Sequence, residues 1–222
     1  MGGIEILQQE IERCEKCPRL TEWRVSVAIE KRAAYRDETY WGKPISGFGD
    51  PNAQIVVVGL APGAHGANRT GRVFTGDRSG DWLFRAMFRA GLANQPESSS
   101  RGDGLELFNA WVTVAVKCAP PDNKPTSSEK KNCATFLERE LKLLTNATLI
   151  VCLGGFAYRA ICEQLEIKHR PKFGHGVRVS AERFSILCSY HPSQQNTFTG
   201  KLTESMLDGI FVEAKELVGD RH

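Results

Sequence analysis

Four short, almost unbroken apolar runs constrain this chain most: Ile55 to Gly59, Trp111 to Val116, Leu149 to Gly154 and Phe184 to Ser189. Strands buried on both faces are apolar at nearly every position, and such strands belong to parallel sheets covered by helices. Helical patterns fall after each run, over Asp81 to Ala90, Ser127 to Leu144, Gly155 to Leu165 and Leu202 to Leu217. The second helix opens with Thr126 and Glu129 spaced as a capping box and carries Phe136, Leu137, Leu141 and Leu144 on one face. The last carries Met206, Ile210, Ala214 and Leu217 as its apolar stripe. This alternation predicts an α/β fold, a three-layer α/β/α sandwich around a central, mostly parallel four-stranded sheet. At 222 residues the chain exceeds the ~150 residues typical of a domain, yet it fits one large domain over 1–222.

Composition narrows the class without choosing a function. With 41% hydrophobic and 25% charged residues and no low-complexity tract, the chain reads as globular. The stretch Met1-Gly-Gly-Ile-Glu-Ile6 lacks a signal-peptide pattern, and no apolar run nears the ~20 residues that cross a bilayer. A cytoplasmic protein without a membrane partner is therefore expected. The net charge of +3 neither demands nor excludes a polyanion, so the clusters matter more. Arg69, Arg72 and Arg78 flank one glycine-rich loop, Lys117 and Lys124 bracket a proline-rich turn, and Lys168, His169, Arg170 and Lys172 form a run. The last group is expected to be solvated surface; for the loop arginines, surface charge and ligand binding stand level.

Open α/β sheets bind ligands beyond the carboxyl ends of their strands. Three segments fall there: Gly59 to Asp77 after the first strand, Cys118 to Pro125 after the second, and Tyr190-His-Pro-Ser193 after the fourth. The first, GLAPGAHGANRTGRVFTGD, has neither the G-x-G-x-x-G of a dinucleotide fold nor the Gly-Lys-Ser/Thr of a P-loop. Its glycines at 63, 66, 71 and 76, with Gly80 just beyond it, permit close backbone approach. Phe74 either stacks on a flat ligand or packs beneath the loop, and Asp77 is the loop's one carboxylate.

Seven cysteines in a chain of this kind argue for metal or chemistry before disulfides. Cys14 and Cys17 form a C-x2-C; Cys118 leaves the second strand and Cys133 enters the following helix. The wide second spacing leaves zinc, an iron-sulfur centre and plain core cysteine all open. A metal would clamp an N-terminal segment that otherwise has little to anchor it. Cys152, Cys162 and Cys188 are assigned to packing.

Taken in order, Cys14-Glu-Lys-Cys17-Pro-Arg-Leu, Gly47-Phe-Gly-Asp-Pro51, Gly59-Leu-Ala-Pro-Gly63, Gly71-Arg-Val-Phe-Thr-Gly-Asp77, Lys117-Cys-Ala-Pro-Pro121 and His191-Pro-Ser193 form a specific set. The sequence resembles the iron-sulfur uracil-DNA glycosylases, of the family 5 or UDGb type, from about Cys14 to the last helix. The resemblance implies a four-iron four-sulfur cluster on Cys14, Cys17, Cys118 and Cys133, structural in character. It also implies a DNA repair hydrolase that flips uracil out of DNA and cleaves its N-glycosidic bond; with no lysine clearly placed for a Schiff base, a monofunctional enzyme is expected. Double-stranded DNA is the expected partner, with single-stranded DNA open, and the enzyme is expected to be a monomer.

On that resemblance Phe74 would stack on the extruded base while the backbone around Leu60 and Ala61 reads its edge. His191 would hydrogen-bond the departing uracil O2, and Asp77 would position or deprotonate water and stabilise the cationic sugar. Asn123 resembles a family residue that reaches the site. Ser193 would meet phosphate, and Gln194 or Gln195 would fill the gap in the duplex. The chain departs from the wider superfamily at Leu60 and Ala61, where a water-activating acid or amide is common, and at Val114, where others carry a reading asparagine. Gly63 stands where the strictly uracil-specific family has a tyrosine, so other damaged bases are expected to be tolerated. A non-catalytic iron-sulfur module that binds nucleic acid, and a nucleoside hydrolase of the same fold, are the alternatives.

Overall fold

The computed structural model describes residues 2–219. Its helices and strands in chain order are α1 (Gly3–Glu12), α2 (Pro18–Glu30), β1 (Phe48–Gly49), β2 (Ile55–Gly59), α3 (Ala67–Thr70), α4 (Arg78–Arg89) and β3 (Ala110–Val114). There follow α5 (Ser127–Leu143), β4 (Leu149–Leu153), α6 (Gly155–Gln164), β5 (Arg178–Ser180), β6 (Ser185–Ser189), α7 (Gln194–Phe198) and α8 (Glu204–Gly219).

The sheet order is β1-β3-β2-β4-β6-β5. The four apolar runs are the parallel centre, β3-β2-β4-β6, and every residue of β2, β3 and β4 is buried. Both edges are antiparallel additions that the sequence did not announce. Two residues of β1 are too few to show a period, and the exposed-intermediate-exposed β5 carries no apolar run. Edge strands as short as these limit further strand pairing.

Alternation along β2 sorts the core into two layers. Ile55 and Val57 face Leu83 and Phe84 of α4 and Leu207, Ile210 and Phe211 of α8. Val56 and Val58 face Leu137 and Leu141 of α5 and Tyr158 and Ile161 of α6. The expected sandwich results, and the capping box at Thr126 and Glu129 starts α5 as the spacing indicated. Cys152, Cys162 and Cys188 are buried in the second layer.

The N-terminal segment is held by more than its cysteines. Leu7 and Ile11 of α1 are fully buried against Phe136 of α5, and Arg139 reaches Glu10 at 2.9 Å. Phe136 therefore faces α1, whereas Leu137 and Leu141 on the same helix face the sheet.

Lys117, one of the two lysines that bracket the proline-rich turn, is only 1% exposed. Its ammonium donates to Thr113 Oγ1 at 2.7 Å and pairs with Glu140, while Thr113 donates to the same carboxylate at 3.0 Å. The triad bolts the end of β3 to α5, and its members satisfy one another where water cannot reach. Removing one partner should leave the other charged and unpaired. Glu140→Gln is expected to destabilise the fold by about 3–5 kcal/mol in urea denaturation, whereas the combined Lys117→Met, Thr113→Val and Glu140→Leu variant should recover most of that loss.

Candidate active site

Parallel strands of matched register deliver their following loops to one edge. The segment after β2 supplies Leu60, Ala61, Gly63, Phe74 and Asp77; the turn after β3 supplies Asn123; the chain after β6 supplies His191, Ser193, Gln194 and Gln195. All line a single cleft of about 520 Å³, together with Arg78 and Ser79. Arg78 was one of the loop arginines for which the sequence left ligand binding and surface charge level, and Ser79 gave no signal of its own.

Asp77 is the N-cap of α4, accepting the Gly80 N–H at 3.1 Å. Its carboxylate lies over the glycine loop so closely that a Cβ on Gly66 would come within 2.1 Å of Oδ2, and one on Gly63 within 2.9 Å. Glycine at these positions makes room for the acid. Burial raises the Asp77 pKa above the usual carboxylate value, against the lowering effect of the Gly80 and Ser79 N–H groups and of Arg69.

The loop arginines divide. Arg72 is buried and donates to Thr75, Ser98 and Asp103, the last two at 2.7 Å. Arg69 donates to the carbonyls of His65 and Gly76, both at 2.9 Å, and pairs with Glu38. Both are braces of the loop. Arg78 is the exposed one, and its guanidinium lies 4.4 Å over the Phe198 ring at the cleft mouth.

The arginine-braced loop delivers Phe74 in the left-handed region, with φ 51°, a conformation that an aromatic residue rarely adopts. Its ring closes over Gly59, where a Cβ would sit 2.5 Å from it, and stands 5.8 Å from the His191 ring at a 32° tilt. Phe74 is thus both packed beneath the loop, 8% exposed, and presented to the cleft. Burial pushes the His191 imidazole down to about 4, so it is neutral at physiological pH. The Leu60 carbonyl already accepts the Val116 N–H at 3.0 Å. Val114 is buried behind Phe74, with a methyl 3.3 Å from where a Gly59 Cβ would be, and does not line the cleft.

Asn123 is exposed, and it and Asp122 both have positive φ, which suits these short polar side chains in a tight turn. Ser193 caps α7 by accepting the Asn196 N–H at 3.4 Å, and Gln194 and Gln195 are exposed on its first turn.

The four singled-out cysteines, Cys14, Cys17, Cys118 and Cys133, line a second, small cavity where the start of α2, the end of β3 and α5 meet. All are free thiols. Among the described residues no group of three or more His, Cys, Asp or Glu side chains is drawn together to hold a metal ion; these four surround a cavity instead. The Lys117 N–H points at Cys133 Sγ (3.5 Å) and the Asn132 amide at Cys17 Sγ (3.4 Å). Burial, with the neighbouring Cys133, pushes the Cys118 thiol up to about 12, and burial pushes Cys133 up to about 11 despite the Lys117 N–H. As thiolates they call for a compensating positive centre in the cavity.

The family model described as the uracil DNA glycosylase superfamily matches residues 46–215. A type-5 uracil-DNA glycosylase of Mycobacterium leprae is 48% identical, over 98% of this chain and 97% of that protein. The type-5 uracil-DNA glycosylase of Thermus thermophilus is 46% identical, over 97% of this chain and 98% of that one. A type-4 uracil-DNA glycosylase of Sulfurisphaera tokodaii stands further off, at 27% over 74% of the chain.

The Arg72 clamp makes the loop sensitive to acid. Burial alone would raise the Asp103 pKa, but hydrogen bonds from Arg72 and from the Leu105, Ser99 and Ser100 N–H groups hold it well below the usual range. A depressed carboxylate stabilises the fold fully above its unfolded value, about 3.9, and loses that contribution as pH falls towards the folded value. Asp103→Asn should therefore cost about 1–3 kcal/mol at pH 7, with the gap to wild type narrowing below about pH 4 in denaturation curves.

Proposed function

The chain belongs to the uracil-DNA glycosylase superfamily, within its type-5 group, and from that premise we propose how its residues carry out the reaction. It hydrolyses the N-glycosidic bond of uracil in DNA, leaving an abasic site, as a DNA repair enzyme. The observation that carries the assignment of roles is that an aromatic face, a neutral imidazole and a buried carboxylate line the same cleft.

A base stacked in a duplex is out of reach, so the nucleotide turns out of the helix and its base enters the cleft. Phe74 stacks on the base, and the backbone of Leu60 and Ala61 meets its edge. As the glycosidic bond lengthens, the base gathers negative charge and the sugar positive charge. His191 donates a hydrogen bond to the uracil O2, and its low pKa means that it does so as a neutral imidazole. Asp77, ionised, orients water and faces the cationic sugar. Its rigid seat at the N-terminus of α4 spares reorganisation during the reaction. Asn123 reaches the water or the base from the opposite turn. Ser193 takes a backbone phosphate, with Gln194 and Gln195 against the strand at the mouth.

No lysine lines the cleft among the described residues, which supports hydrolysis without a Schiff base and without strand cleavage. Gly63 leaves the wall beside Asp77 low, which supports acceptance of bases larger than uracil, 5-hydroxymethyluracil and deaminated purines among them. The enzyme acts as a cytoplasmic monomer on double-stranded DNA and, where exposed, single strands.

The thiols of Cys14, Cys17, Cys118 and Cys133, ringing a cavity rather than converging on a point, suit a four-iron four-sulfur cluster. Bound there, the cluster would supply a structural tie between α2, β3 and α5. The N–H groups of Lys117 and Asn132 would temper the charge on sulfur. Anaerobically purified protein should carry about four irons per chain with broad visible absorbance, and a colourless, zinc-loaded protein would overturn this assignment.

On duplex DNA with one uracil, wild type should give breaks only after alkali. Asparagine is as good an N-cap as aspartate, so Asp77→Asn removes the charge and keeps the helix start; excision should fall by about 10²-fold or more with little loss of stability. Protonation of Asp77 should slow wild type as pH drops, at a pH above the ordinary carboxylate range because burial raises its pKa. His191 stays neutral down to about 4, so the Asn variant should lack that limb. An Asp77→Asn enzyme of full activity would remove this carboxylate from the mechanism.

A further inference from the structure

His191 has no hydrogen bond to its ring among the described residues; its position comes from its backbone and from packing against Phe74 and Gly154. Its backbone is held on both sides. After it, the Asn196 amide donates to the His191 carbonyl at 2.9 Å. Before it, β6 has ended and the Tyr190 N–H has no sheet partner; it donates instead to Nδ1 of His175, at 3.3 Å. Phe173-Gly-His-Gly176 lies in the connection between α6 and β5, outside the cleft lining.

His175 is tied in on every side. The Ser189 hydroxyl is 3.5 Å from Nδ1, the Tyr190 ring lies 5.4 Å away at a 38° tilt, and the backbone of Met206 in α8 lies near enough to favour the protonated ring. Because Nδ1 accepts the Tyr190 N–H, the proton sits on Nε2, which is left to face Met206. The Gly176 N–H, bonded to the Cys188 carbonyl at 2.8 Å, seats the loop on β6. One neutral imidazole thus connects the α6–β5 loop, the first turn of α8 and the residue preceding His191.

We propose that His175 is a positioning residue for His191: it accepts the Tyr190 N–H and so sets the height at which the His191 ring stands in the cleft. This rests on the excision reading above. The bond is an N–H to ring-nitrogen contact one residue from the donor that meets uracil, and a small displacement there is amplified in the reaction. DNA binding, made at the cleft mouth by other residues, does not depend on it.

Two variants separate this role from plain packing. Asparagine at 175 places its carbonyl oxygen near the Nδ1 position and can still accept from Tyr190, whereas glutamine reaches towards Met206 and leaves the Tyr190 N–H without an acceptor. Single-turnover excision should fall about tenfold in His175→Gln with DNA affinity unchanged within about twofold, and His175→Asn should restore most of the rate. In histidine-labelled protein, the His191 ring signals should shift in His175→Gln and return in His175→Asn. Equal losses in the two variants, a loss carried by affinity, or unmoved His191 signals would overturn the proposal. If wild type released no uracil, the excision reading would fail instead, and the His191 signals would still decide whether His175 positions the ring.

Discussion

The in-register parallel pairing of β3, β2, β4 and β6 is the constraint on which the rest depends. Gly59 pairs with Val114, Val58 with Cys152 and Leu153 with Ser189, so three strands that feed the cleft end at nearly the same level. The loops that follow must then share one edge of the sheet. An acid, an aromatic ring, an asparagine and a histidine far apart in sequence thereby line one cleft at the carboxyl edge of the sheet.

Around that edge the polar groups are arranged to hold geometry rather than to add bulk stability. Arg72 with Asp103, Lys117 with Glu140, and Arg69 with the Gly76 carbonyl each tie a loop or strand end beside the cleft or the cysteine cavity. Buried ion pairs seldom exceed well-packed apolar groups in stabilising power, so their contribution here is to orientation. The loop they brace keeps Phe74 at a positive φ and lays the Asp77 carboxylate against Gly66. Burial then shifts the two titrating groups of the cleft in opposite directions, raising the acid and lowering the imidazole. Above the raised pKa of the acid, Asp77 is anionic while His191 is neutral, the pair of states that glycosidic cleavage with an anionic leaving base requires.

The sequence carried the central sheet, the covering helices and the cleft positions, because continuous apolar runs and strand-end motifs are local patterns. It failed where structure comes from distant partners. The burial of Lys117 could not be read from the sequence because its partner, Glu140, lies a helix away. Arg69 and Arg72 could not be told from ligand-binding arginines until Glu38 and Asp103 were placed beside them. Helix α1 escaped notice since its grip on α5 rests on two buried residues, Leu7 and Ile11, and β1 and β5 were too short to show a period. His175 gave no sign at all, for its meaning lies in the Tyr190 backbone that it meets.

The most direct test of the central claim is a crystal structure of the protein with duplex DNA carrying a 2′-fluorinated deoxyuridine, whose electron-poor sugar resists cleavage. The account predicts an extruded uracil stacked on Phe74, its O2 within hydrogen-bond reach of the His191 ring and the Asp77 carboxylate beside the sugar. A uracil held elsewhere, or one that leaves His191 and Asp77 untouched, would contradict it.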